Sequence, residues 1–183
     1  MRALPPMILM TDPARTPDPA AAAAHLPAGS AVVFRTFGAP DAYDTGRRLL
    51  RLARSRGLVL LVTDGALARR LGADGVHFPE RIAHRARALR AAWPGALVTA
   101  AAHGRAGVAR ALRFGADAAI LSPVFPSESP SAGRPLGRLR FGWVARGARL
   151  PVYALGGVGM KNAPELLGSG AAGIAAVSAL LRT

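Results

Sequence analysis

The sequence predicts a short, closed (β/α)8 barrel of the TIM type. Three observations lead there. Eight apolar runs of strand length recur along the chain, arginine-rich segments with helical spacing separate them, and the runs are apolar throughout instead of alternating. A strand that is apolar at every position is covered on both faces, which belongs to parallel sheets. Eight strand–helix steps favour closure into a barrel over an open, doubly wound sheet.

The runs are MILMT (7–11), AVVFR (31–35), LVLLVT (58–63), GVHF (75–78), LVTAAAH (97–103), AAILSPVF (118–125), PVYALGG (151–157) and AGIAAVSA (172–179). Among the helical segments, AYDTGRRLLRLARS (42–55) sets Leu49, Leu50, Leu52 and Ala53 on one side and arginines on the other. RIAHRARALRAAW (81–93) and RAGVARALRFG (105–115) repeat the pattern; ALARRLG (66–72) and NAPELLGSG (162–170) are shorter. PSESPSAGRPLG (126–137) is too polar and too rich in Pro and Gly for a helix. As a loop after a barrel strand it belongs to the catalytic face, where it can act as a lid. At 183 residues the chain is short for a barrel, which ordinarily takes about 250. The shortage falls at the end, where only LLRT follows the eighth strand, so the last helix is truncated or missing. An apolar stripe left uncovered there predicts a homodimer. Residues 1–183 read as one domain, with no internal break.

Composition narrows the function. There is no cysteine, hence no disulfide framework and no thiolate chemistry. No run approaches the roughly 18 uncharged apolar residues needed to span a bilayer. The opening MRALPPMILMTD reads as a first strand and not a signal peptide, because Asp12 follows at once and no small-residue cleavage site closes it. These features point to the cytoplasm and to no membrane partner. The formal charge is +14, and Lys161 is the only lysine, so arginine supplies nearly all of it. Nucleic-acid binders concentrate basic residues among aromatics. Here the arginines are spread over separate helices and aromatics make up 5%, which favours solvated helix faces over a nucleic-acid surface.

Chemistry in a barrel gathers at the C-terminal strand ends. Those ends carry Asp12, Arg35, Asp64, His77, His103, Ser122 with Pro123, Gly156 with Gly157, and Val177 with Ser178. Asp12 and Asp64 each follow Thr, a pairing that serves helix capping as well as a site. His77 within GVHF reads as a structural histidine bonded to backbone. Arg35 ends an apolar strand and needs an anion or a carboxylate there. His103 shares a face with Thr99 and Ala101, which places it near the barrel mouth. An imidazole suits proton transfer there. The glycine pair lets backbone N–H groups approach phosphate oxygens without a Cβ in the way. Loops after the seventh and eighth strands often form such a cup, with Val177 and Ser178 as its second half. On this reading Gly157→Val removes ligand binding and leaves the fold intact.

The pieces MTD, FR, LLVTDGALARRLGADGVHF, TAAAH, GADAAILSPVF, PVYALGGV and GAAGIAAVSAL, in this order and over nearly the whole chain, resemble the thiamine phosphate synthase and TenI-type thiazole tautomerase superfamily. In the synthase, a pyrimidine diphosphate and a thiazole phosphate give thiamine phosphate and free diphosphate. The resemblance implies that Asp64 is a magnesium ligand and that Arg35 contacts diphosphate. It also implies that Gly157, Val177 and Ser178, beside the Gly156 of the glycine pair, hold the phosphate of thiazole phosphate or thiamine phosphate by backbone. Pro123 matches the synthase's GPVF proline and stands where the tautomerase has a histidine. Several charged or polar positions of the family are lost. Phe37 replaces a lysine, Thr63 an asparagine, Gly65 an arginine, Ile82 the second magnesium-binding aspartate, Ala101 a serine and Pro130 a lid lysine. These losses predict a worn magnesium-diphosphate half beside an intact phosphate cup, and they leave a Mg2+ cofactor poorly provided for. The expectation is a synthase-like transferase or TenI-like isomerase with His103 and Arg35 as catalytic candidates. The alternative is a non-catalytic or regulatory paralogue that binds thiazole phosphate.

Overall fold

The computed structural model describes residues 4–127 and 133–177. Its eight strands pair in chain order, all parallel, and β1 closes against β8. They are β1 (Met7–Met10), β2 (Ala31–Phe34), β3 (Val59–Val62), β4 (Gly75–Phe78), β5 (Leu97–Ala102), β6 (Ala118–Leu121), β7 (Val152–Ala154) and β8 (Gly173–Ala176). The helices are α1 (Pro19–Ala23), α2 (Ala42–Arg56), α3 (Gly65–Leu71), α4 (Arg85–Ala92), α5 (Arg105–Arg113) and α6 (Gly137–Arg146), with 3-10 turns at Glu80–Ile82 and Ala163–Leu166.

Alternate residues of each strand face opposite ways. Ile8, Met10, Val33, Leu61, Ile120 and Tyr153 fill the barrel interior. Leu9, Val32, Leu60, Val76, Val98 and Leu121 face the helices instead. Both faces are buried, which is why the strands read as unbroken apolar runs. β4 and β5 approach closely at their starts: a Cβ on Gly75 would lie 1.8 Å from the carbonyl oxygen of its ladder partner Leu97. Tyr153 lies inside the barrel, with its hydroxyl donating to the Pro5 carbonyl at 2.6 Å. Burial pushes its phenol up to about 12.

Two staples tie helix ends to strand starts. Asp74 accepts from the Leu60 amide at 2.9 Å and pairs with Arg54 of α2 at 3.0 Å. Asp117 does the same with the Val98 amide and Arg90 of α4, both at 2.7 Å. Each follows a Gly-Ala pair whose glycine is left-handed, φ 72° at Gly72 and 83° at Gly115. The GAD triplet is thus a repeated device that overall sequence identity conceals.

The barrel, its parallel sheet and the strand order agree with the sequence prediction, while several element boundaries do not. The sequence reading passes over α1 and α6. PDPAAAA carries a start signal after all, because Asp18 accepts from the Ala20 and Ala21 amides and Pro19 opens the helix. GRLRFGWVAR hides its pattern behind two glycines, yet buries Phe141, Gly142, Val144 and Ala145. Gly137, assigned above to the 126–137 loop, is the first residue of α6; residues 128–132 of that loop lie outside the described residues. NAPELLGSG makes only the second 3-10 turn, since Gly168 and Gly170 bend the chain with φ 71° and 86°. The sixth strand stops at Leu121, because Pro123 has no N–H to extend the ladder. The expectation about a last helix falls on residues 178–183, outside the described residues. Among the described residues, no helix is long and apolar enough to cross a membrane.

Candidate functional site

The rim at the C-terminal strand ends holds three groups of side chains. The first joins β1 and β2. Arg35 follows β2, where its guanidinium Nε donates to the Thr11 carbonyl at 2.5 Å and its NH2 to Asp12 at 3.0 Å. Asp12 also pairs with Arg15 at 3.2 Å and accepts from the Ala14 and Arg15 amides. The carboxylate that a half-buried arginine demands is therefore supplied by the protein itself. Burial pushes the Asp12 carboxyl up, but the hydrogen bond and charge of Arg15, with the charge of Arg35, outweigh it and hold the group below its usual value. Burial lowers the Arg35 guanidinium, against the pull of Asp12. Phe37 stands at φ 47°, a left-handed conformation rare outside glycine, and is 64% exposed. The Arg35 guanidinium carbon lies 5.0 Å from the Phe37 ring centre.

Below this group, His77 points into the barrel and shares a 2.9 Å hydrogen bond between Nδ1 and the Thr99 hydroxyl. Its partner is a side chain, not the backbone partner read from the sequence. Complete burial, and secondarily the charge of Arg35, lower its pKa to about 3, so the imidazole is neutral.

Asp64 caps α3, its Oδ1 accepting from the Leu67 amide at 2.8 Å, and its side chain is exposed. Ile82 sits in the first 3-10 turn and packs on the outer core. Among the described residues, no three His, Asp or Glu side chains converge to hold a metal ion.

The second group joins β4 and β5. His103 follows β5, and both its backbone amide (2.8 Å) and its Nδ1 (2.7 Å) bond the same Oε2 of Glu80. Glu80 Oε1 meets Arg110 of α5. Burial raises the Glu80 carboxyl, while the hydrogen bonds from His103 and Arg110 outweigh that and leave it below the usual glutamate value. The His103 side chain is 61% exposed and faces a groove lined by Pro79, Arg81, His84 and Phe114.

The third group joins β6 and β7. Gly156 and Gly157 are both left-handed, with φ 92° and 66°. A Cβ on Gly156 would lie 2.7 Å from Pro123, and one on Gly157 only 2.3 Å from the Pro126 carbonyl oxygen. The segment after β6 is laid directly on the glycines, with the Val124 amide donating to Leu155 and the Phe125 amide to Gly156, each at 2.9 Å. Asn162 secures the turn from the other side. Its Nδ2 donates to the Gly157 carbonyl at 2.7 Å and its Oδ1 accepts from the Gly159 amide at 2.8 Å. The amides of Gly156, Gly157 and Val158 donate to no other described residue. Val177 packs against the inner cluster, and Ser178 lies outside the described residues.

Arg35, His103 and the glycine pair thus fall in three separate groups on one rim, with Asp64 occupied as a helix cap. Glu80, Arg110 and Asn162 went unread in the sequence. A signal existed for Glu80: it stands two residues past the end of a barrel strand in GVHFPE.

An eight-stranded parallel (β/α)8 barrel defines the class of protein, and its C-terminal rim carries a turn after β7 whose amides are unpaired among the described residues. The same fold occurs in a solved structure described as thiamine phosphate pyrophosphorylase from Pyrococcus furiosus, with TM-score 0.81 and 24% identity over 96% of this chain and 87% of that chain. A thiamine-phosphate synthase of Chlorobium luteolum is 35% identical over 147 residues, covering 75% of this chain and 69% of its own. A Geobacter sulfurreducens protein, provisionally described as a thiamine-phosphate synthase, is 38% identical over 140 residues, 75% of this chain and 66% of its own. The bifunctional ThiM/ThiE protein of Symbiobacterium thermophilum is 38% identical over 145 residues, 78% of this chain and 30% of its own. The match thus spans about two thirds or less of the length of two of these three relatives. Over residues 7–180 the sequence matches the family described as thiamine monophosphate synthase. The chain belongs to that family.

Proposed function

We propose that this chain is a synthase-like protein of thiamine biosynthesis that grips the phosphate of a thiazole phosphate, or of thiamine phosphate, on amides after β7 and β8. The observation that carries this reading is the turn at Gly156 and Gly157, where three successive amides are unpaired among the described residues and Asn162 holds the loop in shape. Successive N–H groups in such a turn form a concave seat for an anion. The family resemblance assigns the second half of the seat to Val177 and Ser178, and relatives named as thiamine-phosphate synthases support the ligand class.

In the synthase reaction the thiazole nitrogen attacks the pyrimidine's methylene carbon. The C–N bond forms, the C–O bond breaks, and diphosphate leaves with the electron pair. Arg35 would face the departing diphosphate, and the lone pair of His103 Nε2 would take a proton from the pyrimidine's amino group as the C–O bond breaks and return it once the C–N bond has formed. The residues present do not fit a resident magnesium ion. Asp64 has one oxygen committed to the α3 cap, and Ile82 stands where a second carboxylate is needed. A homodimer belongs to the same reading and is checked by light scattering against the 18.8 kDa monomer.

A second reading, a paralogue that binds thiazole phosphate without turnover, is favoured by one observation: Asp12 already neutralises Arg35. Incubation with both synthase substrates separates the two. Thiamine phosphate formed by the wild type and lost in His103→Ala supports the synthase. No product, with thiazole phosphate still bound in calorimetry, supports the paralogue. Failure to bind thiazole phosphate or thiamine phosphate at all would sink both.

A further inference from the structure

We propose that Glu80 is a positioning residue that sets the tautomer and direction of the His103 imidazole, so that the two side chains work as one proton-relay unit. The relay half rests on the reading that His103 moves a proton; the positioning half stands on geometry alone. Glu80 Oε2 takes two hydrogen bonds from one residue, at 2.8 Å from the His103 amide and 2.7 Å from Nδ1. Oε1 is held by Arg110 from α5. With both oxygens committed, the carboxylate is held in place, and its bond to Nδ1 orients the ring. An ionised carboxylate only accepts, so Nδ1 must carry the ring proton and Nε2 presents its lone pair. His103 itself lines the groove that contains Arg81, His84 and Phe114.

The seat for Glu80 is built into the opposite helix. Gly107 lies inside α5, where glycine costs about 1 kcal/mol relative to alanine. A Cβ at that position would come 2.9 Å from both Cδ and Oε1 of Glu80. The helix thus gives up a better residue at the one place where the carboxylate docks, with Arg110 three residues on along the same face. A plain staple between the β4 loop and α5 would need the Arg110 contact alone. The doubled bond to His103 is what assigns a role in orienting the ring.

The test is the nitrogen-15 signature of His103 in the ligand-free protein, read by long-range proton–nitrogen correlation at a pH where the ring is neutral. Wild type is expected to show the Nδ1–H tautomer. Glu80→Ala should switch it to Nε2–H, the form that predominates in free histidine. Gly107→Ala should do the same while keeping every charge. Its methyl displaces the flexible end of Glu80 and not the backbone, and the helix gains propensity, so the variant folds. An Nε2–H wild type, or Nδ1–H retained in both variants, would overturn the positioning role. If the tautomer switches and kcat falls at unchanged KM, the relay stands. If it switches while kcat is unchanged, the positioning is confirmed and the relay is overturned.

Discussion

Replacing Gly157 with alanine tests whether the glycine pair makes room for the protein's own chain. From the sequence, a larger residue there should remove only ligand binding; the structure corrects this. The substituted residue would have to hold φ 66°, which costs a non-glycine residue about 1–2 kcal/mol. Its Cβ would also stand 2.3 Å from the Pro126 carbonyl oxygen and 2.8 Å from the Phe125 Cβ, where ordinary contact begins at 3.4 Å. The segment after β6 must therefore retreat by roughly an ångström, and overpacking of this kind adds about 1–3 kcal/mol. Together the two effects come to about 2–5 kcal/mol. For a chain of this size each kcal/mol moves Tm by about 2–4 °C. Gly168→Ala is the matched control, with φ 71° and nothing within 4 Å of the new Cβ, so it reports the backbone effect alone. Scanning calorimetry of both variants, with titration of thiazole phosphate into each, gives the comparison. Equal Tm losses in the two variants would refute the close packing, and full ligand affinity in a folded Gly157→Ala would refute the amide seat.

Acid should weaken the fold through His77. The buried ring resists protonation down to about 3, whereas the unfolded chain takes up a proton near 6.5. This contribution is therefore whole above 6.5 and is lost as pH falls toward 3, at up to about 1.4 kcal/mol per pH unit. Urea unfolding at pH 7 and pH 5 should differ by about 2 kcal/mol from this group, and His77→Asn, which can keep a bond to Thr99, should remove that difference. Glu80 and Asp12, both held below their ordinary values of 4.5 and 3.8, add stability that is present above those values and lost at lower pH. Acid unfolding of Glu80→Gln should accordingly begin at the same pH but show a shallower loss below 4.5. Asp74→Ala strands the buried Leu60 amide, while Arg54 keeps its bond to the Gly72 carbonyl, and should cost about 1–3 kcal/mol in urea unfolding. A loss under 0.5 kcal/mol, the ordinary range of surface changes, would show that the staple contributes nothing.

Much of the barrel was legible in the order of residues. Strands apolar on both faces, with Leu49 and Ala53 buried on α2 opposite its arginines, follow from local periodicity. Helix starts were less legible, because Pro19 and Gly137 look like loop residues until a cap or a packed face explains them. At the site, the sequence could say that Arg35 needed a negative partner and that Asp64 could cap a helix, since burial cost and capping are properties of a residue and its near neighbours. It could not say that Arg35 meets Asp12, that His103 turns to Glu80, or that Gly156 and Gly157 lie beneath residues 123–126. Those pairings join residues on different strands and loops, and they depend on how eight strands close and in what register. The sequence by itself determined the class of barrel, the succession of its strands and the family motifs on its rim. Only the tertiary structure decided which of those motifs touch, because contact across a closed sheet is set by the geometry of closure and not by spacing along the chain.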